Sequence, residues 1–93
     1  MPIPQSRVFQ IPFGTHILVG DVMAYGTMVN LLVLHGAGQS ERARFGMLRE
    51  YFVERRIGSA AFDFIGHGET GGDLASSSLL SRTQQACRII DTL

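Results

Sequence analysis

The sequence predicts an α/β domain: an antiparallel β-hairpin, then a strand–helix–strand unit, then a further helix. Three observations carry that reading. Leu31 to Leu34 is an apolar run without alternation, the pattern of a strand buried on both faces of a parallel sheet. The run stops at His35-Gly36-Ala37-Gly38, where two glycines around a small residue let the backbone turn and present its N–H groups. A second apolar strand, Ser59 to Phe64, follows one helical segment and also runs into a glycine-rich turn.

Taken in order, Met1 to Ser6 reads as an extended lead-in because of Pro2 and Pro4. Arg7 to Ile11 alternates as a short strand, with Pro12 ending it or marking a sheet edge. Phe13-Gly14-Thr15 is the turn into a second strand, His16 to Tyr25, in which Gly20-Asp21 marks a bulge or break. Gly26-Thr27 is the next turn. So short a connection between the first two strands makes them antiparallel. Glu41 to Arg56 has helical spacing: Phe45, Leu48 and Phe52 share a face with Tyr51 beside them, and Arg42, Arg44, Arg49, Glu50, Glu54 and Arg56 form the wet side. Ser40 is placed as the N-cap and Gly58 as the C-terminal stop. Ser76-Ser77-Ser78 feeds a last helix, with Leu80, Thr83, Cys87 and Ile90 on its apolar face and Arg82, Gln84, Gln85, Arg88 and Asp91 mostly opposite. Cys87 is expected to be a small core residue.

Composition excludes several classes. The chain has 93 residues, 45% of them hydrophobic, and a formal net charge of +0. Neutrality removes the electrostatic case for nucleic acid or an anionic membrane. No apolar stretch is long enough for a transmembrane segment and no signal peptide is evident, so a cytoplasmic location is expected. One cysteine forms no internal disulfide. Gly36-x-Gly38 follows a strand, but Glu41 stands where a dinucleotide fingerprint needs its third glycine, and its carboxylate repels a pyrophosphate. His16, His35, His67 and Asp63 have no close-spaced ligand pair, so neither a metal nor any other cofactor is expected.

Two motifs in sequence, His35-Gly36-Ala37-Gly38 and Asp63-x-x-Gly66-His67-Gly68-x-Thr70, each at the end of a buried strand, resemble the N-terminal portion of the α/β-hydrolase superfamily. The likeness is to its esterase, monoacylglycerol lipase and serine aminopeptidase group, and residues 1–93 resemble less than half of that domain, which when complete is a three-layer sandwich. The resemblance implies that the backbone N–H of Ala37 lies in an oxyanion hole, where a fixed donor stabilises charge developing on an acyl oxygen. It further implies that His35, Gly36, Gly38, Asp63, Gly66, His67 and Gly68 shape the two loops.

The family's serine stands in a Gly-x-Ser-x-Gly elbow, which this sequence lacks. Ser59 has the wrong neighbours. Thr70, in Gly68-Glu69-Thr70-Gly71-Gly72, precedes the place where the elbow belongs. The nucleophile, acid and base are therefore absent from these residues. The expected function is that of the N-terminal part of a serine hydrolase acting on esters, thioesters or amides. A truncated, non-catalytic chain serving as a binding module is the alternative. In the family's strand order the Leu31 strand also pairs with the nucleophile strand, so the 93-residue chain alone is expected to be inactive, marginally stable and prone to self-association through an open sheet edge.

Overall fold

The computed structural model describes residues 4–36, 40–73 and 78–93. Its elements are β1 (Gln5–Phe13), β2 (His16–Ala24), β3 (Leu31–Val33), a 3₁₀ turn (Arg42–Phe45) leading into α1 (Gly46–Glu54), β4 (Ser59–Phe62) and α2 (Leu79–Thr92). They build one four-stranded sheet in the order β1-β2-β4-β3. β1 and β2 pair antiparallel, from Phe13 opposite His16 to Gln5 opposite Ala24. Gly14, at φ 59°, supplies the left-handed residue that a two-residue turn requires. β3 and β4 pair in parallel across the helical crossover.

The sheet corrects the expectation for Leu31 to Leu34. β3 is a three-residue edge strand, with Leu31 39% exposed. The strand buried on both faces is β4, which lies between β2 and β3. Apolar composition alone does not separate the two, because both runs are short and uncharged. β1 is longer than its alternation indicated and carries Pro12 at the other edge of the sheet. There is no bulge at Gly20-Asp21: the ladder continues through both. Gly20 is there for close approach, since a Cβ would strike the carbonyl of Ala61 and the ring of Phe9.

The helices lie on opposite faces of the sheet. Ile89 of α2 packs with Leu18, Phe62, Phe64, Ile65 and Ile11. Ser59 and Asp21, on the alternate side of their strands, face Arg49 of α1. The start of the parallel pair is fixed reciprocally, with the Asn30 N–H donating to Gly58 O and the Gly58 N–H to Asn30 Oδ1 at 2.8 and 2.9 Å.

Both helix faces differ from those the apolar spacing assigns. On α1, Leu48 and Tyr51 are exposed and the buried residues are Arg49 and Val53. On α2, the buried residues are Gln85 and Ile89, whereas Leu79, Leu80, Ile90 and Cys87 are exposed. In each case a polar side chain is inside because it satisfies backbone or charged groups that apolar side chains cannot.

The caps also move. Ser78 caps α2 by accepting from the Ser81 N–H at 3.1 Å, while Ser76 and Ser77 lie outside the described residues. Glu41, not Ser40, occupies the cap of the 3₁₀ turn, without a side-chain bond. α1 ends at Glu54 with Arg55 as its C-cap, and Arg56 just beyond, rather than Gly58, takes the left-handed region at φ 63°. The N–H groups of Arg56 and Ile57 close back on Val53 O and Phe52 O, and the Arg56 guanidinium sits 3.9 Å from the Tyr25 ring centroid. That stacking and the closed turn hold a conformation glycine would adopt more readily.

Candidate functional site

The two glycine loops leave the C-terminal ends of the adjacent parallel strands β3 and β4, which is where open α/β sheets place their ligands. Ala37, Gly38 and Gln39 lie outside the described residues, and so does the oxyanion N–H expected of Ala37.

Asp63, 1% exposed, organises the second loop. Its carboxylate accepts from the backbone N–H groups of Arg42 (2.7 Å) and Glu69 (3.0 Å) and pairs with Arg42 Nη1. Gly68 has φ 45°, and a Cβ there would fall on this carboxylate. The loop also bonds to itself: the Gly66 N–H donates to Gly71 O, and the Gly71 N–H to His67 O at 3.1 Å. Thr70 Oγ1 accepts from the Val19 N–H at 2.9 Å and donates to Asp63 O at 2.5 Å, which ties the loop to β2. With its proton committed in this way, Thr70 is not set up as a nucleophile. Ser59 is fully buried and bound to Arg49 Nε at 2.8 Å.

His35 joins the loops. Its Nε2 lies 3.1 Å from the Phe64 nitrogen, which has only a proton to offer, so Nε2 is the acceptor. The ring proton therefore sits on Nδ1 and is donated to Gly36 O at 2.6 Å. A second proton on Nε2 would break the Phe64 bond. Burial holds the His35 pKa below its ordinary 6.5, and the neighbouring His67 and Arg82 push the same way against the Gly36 bond and Asp63. The linkage sign follows: between the depressed native value and 6.5 the unfolded chain binds more protons, so stability rises with pH. It is complete above 6.5 and declines as pH falls from there toward the native value. Urea melts at pH 7.5 and 5.5 are expected to show lower stability at the acid end. His35→Gln keeps an acceptor for Phe64 and is expected to flatten that difference.

His67 packs at a tilt against His35, with ring centroids 4.7 Å apart and an interplanar angle of 59°, and donates from Nδ1 toward Ile65 O at 3.2 Å. His16 is half-buried, and its ring lies beside Gly72. Among the described residues no group of three His, Cys, Asp or Glu side chains is placed to hold a metal ion.

The loops are pinned from both faces of the sheet by residues that apolar spacing assigns to solvent. From α2, Arg82 Nη2 donates to His35 O at 2.7 Å and Gln85 Oε1 accepts from the Ile65 N–H at 2.9 Å. From the 3₁₀ turn, Arg42 donates through Nε to Asp21 (2.9 Å), through Nη1 to Asp63 and through Nη2 to Glu69 (2.8 Å). Burial works against the Arg42 charge, but Asp21, Asp63 and Glu69 outweigh it and hold its pKa above the ordinary value. Arg49 extends the cluster to Asp21 and Ser59. Of Arg42, Arg44 and Arg49, only Arg44 is exposed. A cleft of about 480 Å³ opens over this cluster, lined by Asp21, Glu41, Arg42, Arg49, Asp63 and Glu69 among others. A signal for the cluster was present in Asp21: a carboxylate in the middle of an apolar strand needs a buried cation, and Arg42 and Arg49 are two helical turns apart on one face.

No protein-family model and no curated protein matches the sequence. Among solved structures, the chain is similar to a "putative hydrolase" from Agrobacterium vitis S4, with a TM-score of 0.72 and 17% identity. The match covers 97% of this chain and 36% of that one, so the chain spans well under half the length of the structure it resembles. The likeness is one of fold. The four-stranded sheet with its two helices corresponds to the N-terminal part of an α/β-hydrolase-like architecture. No described helix is long and apolar enough to cross a membrane.

Proposed function

We propose that this chain supplies the oxyanion-hole portion of a serine hydrolase acting on ester, thioester or amide bonds. The observation that carries the reading is the anchoring of the second glycine loop, and of His35–Gly36 at the start of the first, side by side at the C-terminal ends of β3 and β4. Asp63 and Arg42 bond to each other on one face, and on the other Arg82 holds the His35 carbonyl and Gln85 the Ile65 N–H. A preorganised backbone donor is what an acyl-transfer site needs, because it stabilises the anion without reorganising at the moment of reaction. Ala37 is assigned that donor. His35, His67, Asp63, Thr70 and Ser59 are all engaged in holding structure, so the nucleophile, acid and base are assigned to residues outside this sequence.

The same engagement of every candidate side chain also favours the second reading, a hydrolase-like chain that binds a partner without catalysis. One experiment separates the two. The complete natural gene product is treated with a fluorophosphonate and assayed on activated esters. Covalent labelling with turnover is expected, and Ala37→Pro, which deletes the N–H, is expected to lower kcat by about 10²–10³. Absence of labelling overturns the hydrolase reading in favour of the binding one. Ester turnover by the 93-residue chain alone overturns the assignment of the nucleophile to residues elsewhere.

A further inference from the structure

We infer that His35 is a positioning residue whose ring aims the backbone N–H of Ala37 through the Gly36 carbonyl; its catalytic meaning rests on the oxyanion reading of Ala37. The link is covalent. The Gly36 carbonyl and the Ala37 N–H are the two ends of one peptide unit, which is planar and, when trans, points them in opposite directions. Whatever orients that carbonyl orients that N–H. His35 Nδ1 donates to Gly36 O at 2.6 Å.

Among the described residues packing does not do this. Gly36 is exposed, and a Cβ built on it would meet no atom within 4 Å. Glycine is also the residue that restrains its own torsions least. The His35 ring, by contrast, is held. It is 2% exposed, its Nε2 accepts from the Phe64 N–H at 3.1 Å, and its plane meets the Phe64 ring edge-on with centroids 5.1 Å apart. The His35 carbonyl is held too, by Arg82 Nη2 at 2.7 Å, and the same guanidinium lies 4.3 Å from the Phe64 ring centroid. Two successive carbonyls, those of His35 and Gly36, are therefore anchored just before Ala37.

The tautomer belongs to the same device. The Phe64 N–H occupies the lone pair on Nε2 and so keeps the ring proton on Nδ1, where the Gly36 carbonyl takes it. The backbone just after β4 thus decides which way the first loop presents its amide. A donor on the Gly36 carbonyl also polarises that peptide, which strengthens the N–H at its other end.

Two substitutions divide the ring into its halves. Gln places an amide oxygen near the position of Nε2, keeping the Phe64 bond and losing the Gly36 one. Asn places an amide nitrogen near the position of Nδ1 and does the reverse. In the complete natural gene product assayed on an activated ester, His35→Gln is expected to lower kcat about 10²-fold with KM unchanged, because a misplaced donor fails only the charge of the transition state. His35→Asn is expected to recover most of that loss while being the less stable of the two in urea. A side chain that merely holds structure ranks activity with stability, so that ranking, or Asn as slow as Gln, would overturn the inference. Two measurements by nuclear magnetic resonance need no catalysis. In the unmutated protein the ¹⁵N shifts of His35 are expected to show Nδ1 protonated and Nε2 bare; the opposite tautomer would overturn the inference without any variant. The residual dipolar coupling of the Ala37 amide, which reports its direction, is expected to be shared by the unmutated protein and Asn and to change in Gln; an unchanged value in Gln would overturn it. If the unmutated product turns over no ester, the hydrolase reading falls, and the coupling still decides whether His35 aims this N–H.

Discussion

Replacing Arg49 with Met is expected to destabilise the chain by about 3–5 kcal/mol, the range for removing one partner of a buried ion pair. Arg49 is 3% exposed and its guanidinium is fully used. Nε binds Ser59 Oγ, Nη1 binds the Asp21 carboxylate, and Nη2 binds the carbonyls of Asp21 and Ser59 at 3.0 and 3.1 Å. It therefore bridges α1 to two neighbouring strands, β2 and β4. Met fills much of the volume but leaves those acceptors unpaired. Asp21 would keep Arg42 Nε, so the loss is expected toward the lower end of that range. Since a domain this size has about 5–14 kcal/mol in total, the loss is a large share of it. Arg49→Lys retains charge but offers a point donor in place of a fork, so an intermediate loss is expected. Urea denaturation of the three proteins checks the order: unmutated, then Lys, then Met. Equal stability of the Lys variant and the unmutated protein would mean that the fork geometry contributes nothing.

Asp63→Asn is expected to cost a similar amount, about 3–5 kcal/mol, and to release the second glycine loop. The change is nearly isosteric, so it isolates charge and acceptor pattern. Asp63 takes donors on both oxygens, from Arg42 N–H on one and from Glu69 N–H and Arg42 Nη1 on the other. An amide nitrogen in either place would face a donor with a donor. Hydrogen exchange is the direct measurement: the amides of Glu69 and Arg42 are expected to lose protection, and that of Val19, bonded through Thr70, to follow. Protection unchanged at Glu69 would show that the loop is held by its own Gly66–Gly71 bonding instead. Deletion of the charge also leaves Arg42 short of one carboxylate, so the effects of Asp63→Asn and Arg42 variants should not add.

The order of elements was legible in the sequence, and so was the direction of each strand pairing. Gly14 between two alternating runs specifies a hairpin, and a helix between two short apolar runs specifies a parallel pair. Which of those runs is central was not legible. That depends on strand order, and Leu31–Val33 and Ser59–Phe62 differ little in local character. The helix faces failed for one shared reason. Apolar periodicity assigns every charged or amide side chain to water, but Arg49 and Gln85 are buried to serve Asp21, Ser59 and the Ile65 N–H. Such residues are visible in sequence only through the groups they must satisfy, and those lie far along the chain. The clamp on the two loops, Arg42 to Asp63 and Arg82 to His35, was hidden for the same reason, although the loops themselves stood out by their glycines.

α2 carries the consequence furthest. Its rotation about its own axis is set by two directional bonds, Gln85 to Ile65 and Arg82 to His35, and not by the leucines it displays. Turning the helix to bury Leu80 and Ile90 would trade oil for orphaned amides at the mouth of both loops. The chain thus keeps a greasy exterior in exchange for fixed backbone groups at His35 and Ile65, where β3 and β4 end. Selection for solubility alone would rewrite Leu79, Leu80 and Ile90 long before it touched Gln85.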